Sequence, residues 1–148
     1  MLGVSARARV IFEKSGWFEG RCVDVSHKVK ALEQEGWLIN PFALEFLKNF
    51  DELKISQPAL PPSRDDIEID PLDLVGDYEI YGEWQVNMNM RFLPIGRRYA
   101  YRLFIDYEGI IYEDGYGTMY RLGSSFEECV NELFFGSNNW VKLGSLKY

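Results

Sequence analysis

Residues 91–117, RFLPIGRRYAYRLFIDYEGIIYEDGYG, contain the side chains of this chain that are best suited to chemistry. Two separated carboxylates, Asp106 and Asp114, are the minimum that general acid–base catalysis requires. Such catalysis also needs the two groups in different environments around one pocket, and the sequence does not fix the distance between them. A small enzyme that uses this carboxylate pair therefore stays open as an alternative.

The same segment mixes basic and aromatic residues in the way that single-stranded nucleic-acid binders do, at Arg97, Arg98, Tyr99, Tyr101 and Arg102. On a regular strand, however, Arg98 and Arg102 would point away from Tyr99 and Tyr101, so the residues would form no single platform. The net charge of −7 also disfavours contact with phosphate backbones. We predict no nucleic-acid partner.

Tyrosine and arginine are enriched in protein interfaces, because a rigid ring or a planar guanidinium buries much area at little entropic cost. This enrichment predicts partner contacts along the same segment, at Arg98, Tyr107, Tyr112, Asp114 and Tyr116. The alternative is that about half of these side chains pack the sheet.

A second candidate surface lies between Asp65 and Glu83, where there are eight carboxylates and no Lys or Arg. Such a run could attract a basic protein partner, with contacts at Asp66, Glu68, Asp70 and Asp73. A solvated loop and strand edge explains the same run equally well.

Metal and cofactor chemistry has little support in the sequence. His27 is the only histidine and is expected at the surface, and Cys22 and Cys129 lie too far apart for zinc or redox spacing. The stretch DYEG is too short for a calcium loop. We predict no cofactor, no metal, and two buried free thiols.

No stretch approaches the roughly 18 consecutive apolar residues of a membrane span, and the N-terminal segment carries charges where a signal peptide would be apolar. We therefore predict a cytoplasmic protein with no membrane partner. With 148 residues, 47% of them hydrophobic, the chain can form one domain, residues 1–148, around a real core.

Several helices can be read from caps and apolar spacing. Apolar spacing predicts a first helix within residues 4–14, and Ser26 is expected to cap a second helix that ends at Gly36. Asn40 precedes a third helix in NPFALEFLKNFDEL. Ser125 should cap the last helix, which stops at Gly136.

Strands are predicted between these helices. LKISQ and IEID read as short strands separated by the Pro-rich connector PALPPSR. LPIG reads as a sharp turn that ends at Gly96, where glycine accepts positive φ without steric cost. Residues 98–122 should then form an antiparallel meander, with the last helix packed on it through Phe126, Val130 and Leu133.

Two segments resist a single interpretation. Residues 77–90 alternate apolar and polar side chains as a strand would, yet Tyr81, Trp84 and Met88 also form a helical stripe. The residue pattern alone leaves both structures open. The tail 137–148 has no clear period.

The order of the motifs SGWFEGRCVDVS, ALEQEGWLINPFALEFLKNFDELKI, IEIDP, FLPIG, LFIDYEGIIYED and RLGSSFEECVNELFFG resembles the third branch of the SUKH superfamily of bacterial immunity proteins. The resemblance covers roughly residues 10–136. It implies a compact α+β domain that binds and neutralises a cognate polymorphic toxin, such as a nuclease or deaminase, without catalysis or cofactor. It also implies a helix at 77–89, and we adopt that assignment.

One position departs from the family pattern. Relatives often carry an acidic residue just after the PxG turn, whereas Arg97 and Arg98 follow it here. The predicted fold is α+β, a single domain in which an antiparallel meander is flanked by N-terminal and C-terminal helices. The predicted partner is a basic toxin, and a general protein-interaction or regulatory module is a further alternative.

Overall fold

The computed structural model describes residues 5–57, 66–136 and 140–145. In this part of the chain the helices are α1 Ala6–Lys14, α2 Ser26–Glu35, α3 Pro41–Phe50, α4 Tyr78–Met88 and α5 Phe126–Phe135, with a short 3-10 helix at Pro71–Leu74. The strands are β1 Lys54–Ile55, β2 Ile67–Ile69, β3 Phe92–Arg98, β4 Tyr101–Asp106, β5 Ile111–Gly115, β6 Thr118–Gly123 and β7 Val141–Ser145. The strands that the structure describes form one antiparallel sheet in chain order, which confirms the α+β prediction.

Local capping signals define most helix starts. The Asn40 side chain accepts a hydrogen bond from the Ala43 amide at 2.7 Å, and the Ser125 hydroxyl accepts one from the Glu128 amide at 3.1 Å. The predicted cap at Ser26 is wrong, because Ser26 is already helical. Its amide and hydroxyl instead donate to the Asp24 carboxylate, which is exposed just before the helix.

Helices α1, α3 and α5 share a cluster of phenylalanine rings. The Phe126 ring lies 4.7 Å from that of Phe46, 5.1 Å from that of Phe50 and 5.7 Å from that of Phe12, measured between centroids. Phe126 and Val130 are buried as predicted, and Leu133 is partly buried against the core. The last helix therefore holds the first and third helices together.

Further contacts tie the start of the described chain to α5. The Ser5 amide donates to the Glu127 carboxylate at 2.9 Å, and Arg7 Nε donates to Asn131 Oδ1 at 3.3 Å. The Arg7 guanidinium also lies 4.4 Å from the Phe135 ring centroid. Segments about 120 residues apart in sequence thus form one packed layer.

Helix α4 covers the opposite side of the sheet, and the helix implied by the resemblance is confirmed. Tyr81 and Trp84 are buried, and the Tyr81 ring lies 4.9 Å from that of Phe104 on β4. Ile80 and Val86 of the strand-like alternation are exposed, and so is Met88, which departs from the predicted helical stripe. The strand interpretation of residues 77–90 is wrong for this reason.

The segment LPIG is a bulged strand, where the sequence predicted a turn. β3 runs through it, its register with β4 shifts between Pro94 and Gly96, and the chain reverses only at Tyr99–Ala100. Gly96 has a φ of +154° and lies against β2. Strand β7, in the tail without a clear period, was also not predicted. The predicted connector PALPPSR lies entirely outside the described residues.

The two cysteines have different environments, so the prediction of two buried thiols is wrong for Cys22. Cys22 is exposed in the segment before α2, whereas Cys129 is fully buried on α5. Burial raises the pKa of the Cys129 thiol well above its ordinary value, and the Glu113 charge raises it further. Only the thiolate reacts readily, so the two thiols should differ in reactivity.

We expect one thiol per chain to react rapidly with a colourless aromatic disulfide reagent in the folded protein, and two in urea. The Cys22→Ser variant should show no rapid reaction, because burial and a raised pKa both protect Cys129. Reaction progress can be followed by absorbance. Rapid modification of both thiols in the folded protein would contradict the described packing of α5.

No helix in the part of the chain that the structure describes is long and apolar enough to cross a membrane.

Candidate binding surface

The predicted contact tyrosines lie at opposite ends of the sheet. In an antiparallel meander, successive turns alternate between the two ends. Tyr116 follows β5 in the β5–β6 turn, and Tyr107 lies in the β4–β5 turn before β5. One compact contact surface therefore contains either Tyr107 or Tyr116.

Three tyrosines line up at the end of the sheet that carries Tyr116, and we call them the tyrosine ridge: Tyr99, Tyr101 and Tyr116. The Tyr101 ring lies 6.5 Å from that of Tyr99 and 5.4 Å from that of Tyr116, in both cases edge to face. Tyr99 is 50% exposed and Tyr116 is 76% exposed. These rings form an aromatic surface across two hairpin turns.

Arg98 is buried beside the ridge. Its guanidinium donates two hydrogen bonds of 3.0 Å to the Glu113 carboxylate and lies 4.8 Å from the Tyr101 ring and 5.1 Å from the Trp140 ring. The expectation that Arg98 points away from Tyr101 is wrong. The turn begins at Tyr99, which makes Arg98 and Tyr101 register partners on one face of the sheet.

Asp114 and Tyr112 are also buried and engaged within the protein. Asp114 accepts hydrogen bonds from the Tyr81 hydroxyl at 2.7 Å and from the Gly117 amide at 2.8 Å. The Tyr112 hydroxyl donates to the Asp106 carboxylate at 2.8 Å, and burial together with this bond raises the pKa of Tyr112. Asp114 and Tyr112 therefore have structural roles within the fold.

Asp106 also organises the turn at the far end of the sheet. Its carboxylate accepts hydrogen bonds from the Glu108 and Ile110 amides, each at 2.9 Å. Tyr107 in this turn is 39% exposed, and the Arg91 guanidinium lies 5.9 Å from its ring centroid. We leave Arg98, Tyr112 and Asp114 out of the contact surface proposed below, because their side chains are buried.

The acidic candidates lie beside basic side chains from distant parts of the chain. Arg97 lies 3.4 Å from the Glu68 carboxylate and 3.7 Å from that of Asp73, and Lys54 lies 3.9 Å from that of Asp66. Asp66 itself is buried. The carboxylate run is therefore partly neutralised, which the sequence did not indicate.

Asp70, the fourth acidic candidate, belongs to a network around the buried Lys28. The Lys28 ammonium lies 2.9 Å from the Asp51 carboxylate and 3.8 Å from those of Glu52 and Asp70. Burial by itself would lower the pKa of Lys28, but the Asp51 hydrogen bond and the surrounding negative charges outweigh it and raise that pKa. Among the described residues of both networks, six carboxylates share three basic side chains, so carboxylates outnumber basic groups there.

Two open depressions flank the tyrosine ridge. One, of about 450 Å³, is lined by Lys54, Asp66, Glu68, Arg97, Tyr99, Ala100 and Arg102. The other, of about 360 Å³, is lined by Arg98, Tyr101, Glu113, Gly115, Tyr116, Tyr120 and Trp140. Among the described residues, no three His, Cys, Asp or Glu side chains are grouped so that they could hold a metal ion.

The fold and these surfaces define an α+β domain that displays aromatic turns and ion-paired carboxylates around a single meander. A family model for the SUKH-3 immunity protein matches residues 4–136, so the chain belongs to the SUKH-3 immunity protein family. Searches of curated proteins and of solved structures found no significant match.

Proposed function

We propose that this protein protects a bacterial cell by binding a cognate polymorphic toxin and occluding it without catalysis. Family membership over residues 4–136 carries the proposal. The protein would act in the cytoplasm, against a toxin that enters from a neighbouring cell or is made in the same cell. A toxin that attacks nucleic acid or bases, as a nuclease or a deaminase does, suits this location.

The engagement of the carboxylates supports binding over the alternative of a small enzyme. Asp106 accepts hydrogen bonds from two backbone amides and from the Tyr112 hydroxyl. Asp114 accepts hydrogen bonds from the Gly117 amide and from the Tyr81 hydroxyl. General acid–base catalysis needs carboxylates that reach a substrate. These two carboxylates instead stabilise turns and the packing of α4 on the sheet.

A basic toxin surface is the partner that the charge favours. The chain has a net charge of −7, and the networks around Lys28 and Arg97 contain more carboxylates than basic groups. Glu79 and Glu83 add two exposed carboxylates on α4. Opposite charge mainly accelerates association, because it steers the encounter over long distances.

We expect the association rate with the product of the adjacent reading frame to fall about tenfold between low and high salt, since screening removes the steering. The dissociation rate should change much less. Reversing Glu79 and Glu83 together to lysine should lower the association rate at low salt only. These two exposed positions suit the test because reversal of Asp66 or Glu68 would also break ion pairs within the protein.

Stopped-flow or surface-based kinetics at two salt concentrations provides the measurement, and co-expression with the same gene product tests protection of the cell. The reversal of Lys14 and Lys30 to glutamate, both exposed, makes the net charge more negative and is a control that should not slow association. A wild-type protein that neither binds nor protects would contradict the proposed function. Turnover of a small substrate that depends on Asp106 or Asp114 would favour the enzyme.

A further inference from the structure

Two side chains of the tyrosine ridge occupy backbone positions that tyrosine disfavours. Tyr99 has a φ of +58° and Tyr116 a φ of +52°, and each is the first residue of a two-residue hairpin turn. A left-handed conformation is unusual for a bulky side chain, and asparagine or glycine would fit such turns better. Turn geometry therefore does not favour tyrosine at either position, although both rings contact Tyr101.

Burial gives no reason either, because both rings are at least half exposed. Strained residues that folding does not require are common at functional sites. Exposed tyrosines at protein interfaces supply large contact areas with few rotatable bonds. Backbone strain and exposure together favour a role for the tyrosine ridge in contact with a partner.

Arg102, on β4 next to the ridge, has no carboxylate partner among the described residues. Within the part of the chain that the structure describes, no Asp or Glu oxygen lies within ion-pair distance of its guanidinium, and its Nε is buried with no hydrogen-bond acceptor. A single bond of 3.1 Å from Nη1 to the Ala100 carbonyl holds the side chain. The guanidinium lines the depression of about 450 Å³ that Tyr99 borders.

The neighbours of Arg102 on the sheet explain why its charge is not neutralised. On one side its register partner is Arg97, which is a like charge and lies beside Glu68 and Asp73. On the other side its register partner is Asp114, whose two oxygens bind Tyr81 and Gly117. The like charge of Arg97 directly opposite Arg102 destabilises the sheet and offsets the attraction of Arg102 to Asp114 on the other side.

We propose that the tyrosine ridge and Arg102 form the toxin contact surface, and that the toxin presents an Asp or Glu carboxylate to Arg102. This inference rests on the proposed function and adds the location and the chemistry of the contact. A single carboxylate matches the guanidinium in charge and shape. The depression is lined by three basic and two acidic side chains, so its net charge of one matches a singly charged carboxylate better than a doubly charged phosphate.

This contact complements the attraction of a basic toxin to an acidic protein. The net charge accelerates the encounter, whereas a local pair of opposite sign selects one orientation. Anchors of this kind act mainly on the dissociation rate. The association rate therefore reports the effect of the net charge, and the dissociation rate reports the effect of the local contact.

The test compares two pairs of matched variants, with the purified product of the adjacent reading frame as the probe. Arg102→Met and Tyr116→Asn alter the proposed surface, and Arg91→Met and Tyr107→Asn make the same changes at the far end of the sheet. The first two variants should each raise the dissociation rate about tenfold or more, as loss of an interface anchor does. The two control variants should change it less than about twofold.

Melting temperatures separate a contact role from a structural one. Tyr116→Asn creates the dipeptide Asn-Gly, which this hairpin turn prefers, so its melting temperature should equal or exceed that of the wild type. Arg102→Met removes a like-charge pair and should melt within about 3 °C of the wild type. Arg102→Lys, which keeps the charge but loses the planar fork, should dissociate at an intermediate rate.

If the wild type binds the probe but the surface variants dissociate no faster than their controls, the proposed surface is wrong. The proposed function would then remain intact. A marked fall in the melting temperature of Tyr116→Asn without faster dissociation would assign the ridge to folding and overturn it as well. Failure of the wild type to bind the probe would contradict the proposed function itself, and the surface with it.

Discussion

Replacing Gly96 by valine should lower the free energy of unfolding by about 3 kcal/mol or more, at the upper end of overpacking effects. A Cβ atom at this position would lie 1.9 Å from the Glu68 carbonyl oxygen and 3.0 Å from the Ile69 Cα. Both atoms belong to the backbone of β2, which cannot move aside without losing its pairing with β3. The bulge thus requires glycine because a neighbouring strand passes so close.

Alanine is the sharper form of this experiment, because it adds only the Cβ atom. Gly115→Ala is the matched control, since a Cβ there would meet its nearest neighbours, ring atoms of Tyr101 and Tyr120, at 3.6 Å or more. In urea denaturation, we expect Gly96→Ala to lose a large part of the free energy of unfolding. Gly115→Ala should change that free energy by about 0.5 kcal/mol or less. Equal midpoints for Gly96→Ala and the wild type would contradict the described contact between β2 and β3.

Replacing Glu113 by alanine should cost about 3–5 kcal/mol, because it leaves the buried Arg98 guanidinium without its counter-charge. Both side chains are almost completely buried, and the two hydrogen bonds between them are 3.0 Å long. The Tyr101 and Trp140 rings flank the guanidinium and limit its access to water. Arg98 therefore cannot exchange the lost partner for solvent at low cost.

A double variant separates the contribution of the Arg98–Glu113 pair to the free energy of unfolding from the cost of leaving one buried charge unpaired. Arg98→Met combined with Glu113→Leu should recover most of the stability that Glu113→Ala loses, because no charge is then left unpaired. Glu13→Ala breaks the exposed Arg9–Glu13 pair and should leave stability nearly unchanged. Comparable losses for Glu13→Ala and Glu113→Ala in chemical denaturation would rule out this account of the buried pair.

Features that depend on neighbouring residues were predictable from the sequence. The caps at Asn40 and Ser125 and the left-handed Gly36 at the end of α2 are examples, because each depends on residues within one helical turn. The hairpin around DYEG was predictable for the same reason. Helix α4 was not, because contacts with Phe104 and Asp114 decide which of its two apolar patterns is buried.

The candidate site was less predictable, because the partner of a charged residue is set by sheet register. The sequence predicted Arg98 as a partner contact. In the structure it pairs with Glu113, 15 positions later on β5, with β4 between the two strands. The carboxylate run looked unopposed, yet Lys28 and Arg97 reach it from other elements. Arg102 was named only for nucleic-acid contact, and the absence of a paired carboxylate within the described residues became visible when both register neighbours were known.

The junction between α1 and α5 has a consequence for how the chain folds during synthesis. Each strand of the meander pairs with the one before it, so the sheet can grow stepwise as the chain leaves the ribosome. Helix α1 is made early, and Phe12 can then pack on Trp17 and Phe50, but Ser5 and Arg7 find their partners only when α5 has emerged. The first helix therefore completes its contacts late, and the side of the phenylalanine cluster that Phe126 covers stays open to a chaperone or a protease until then.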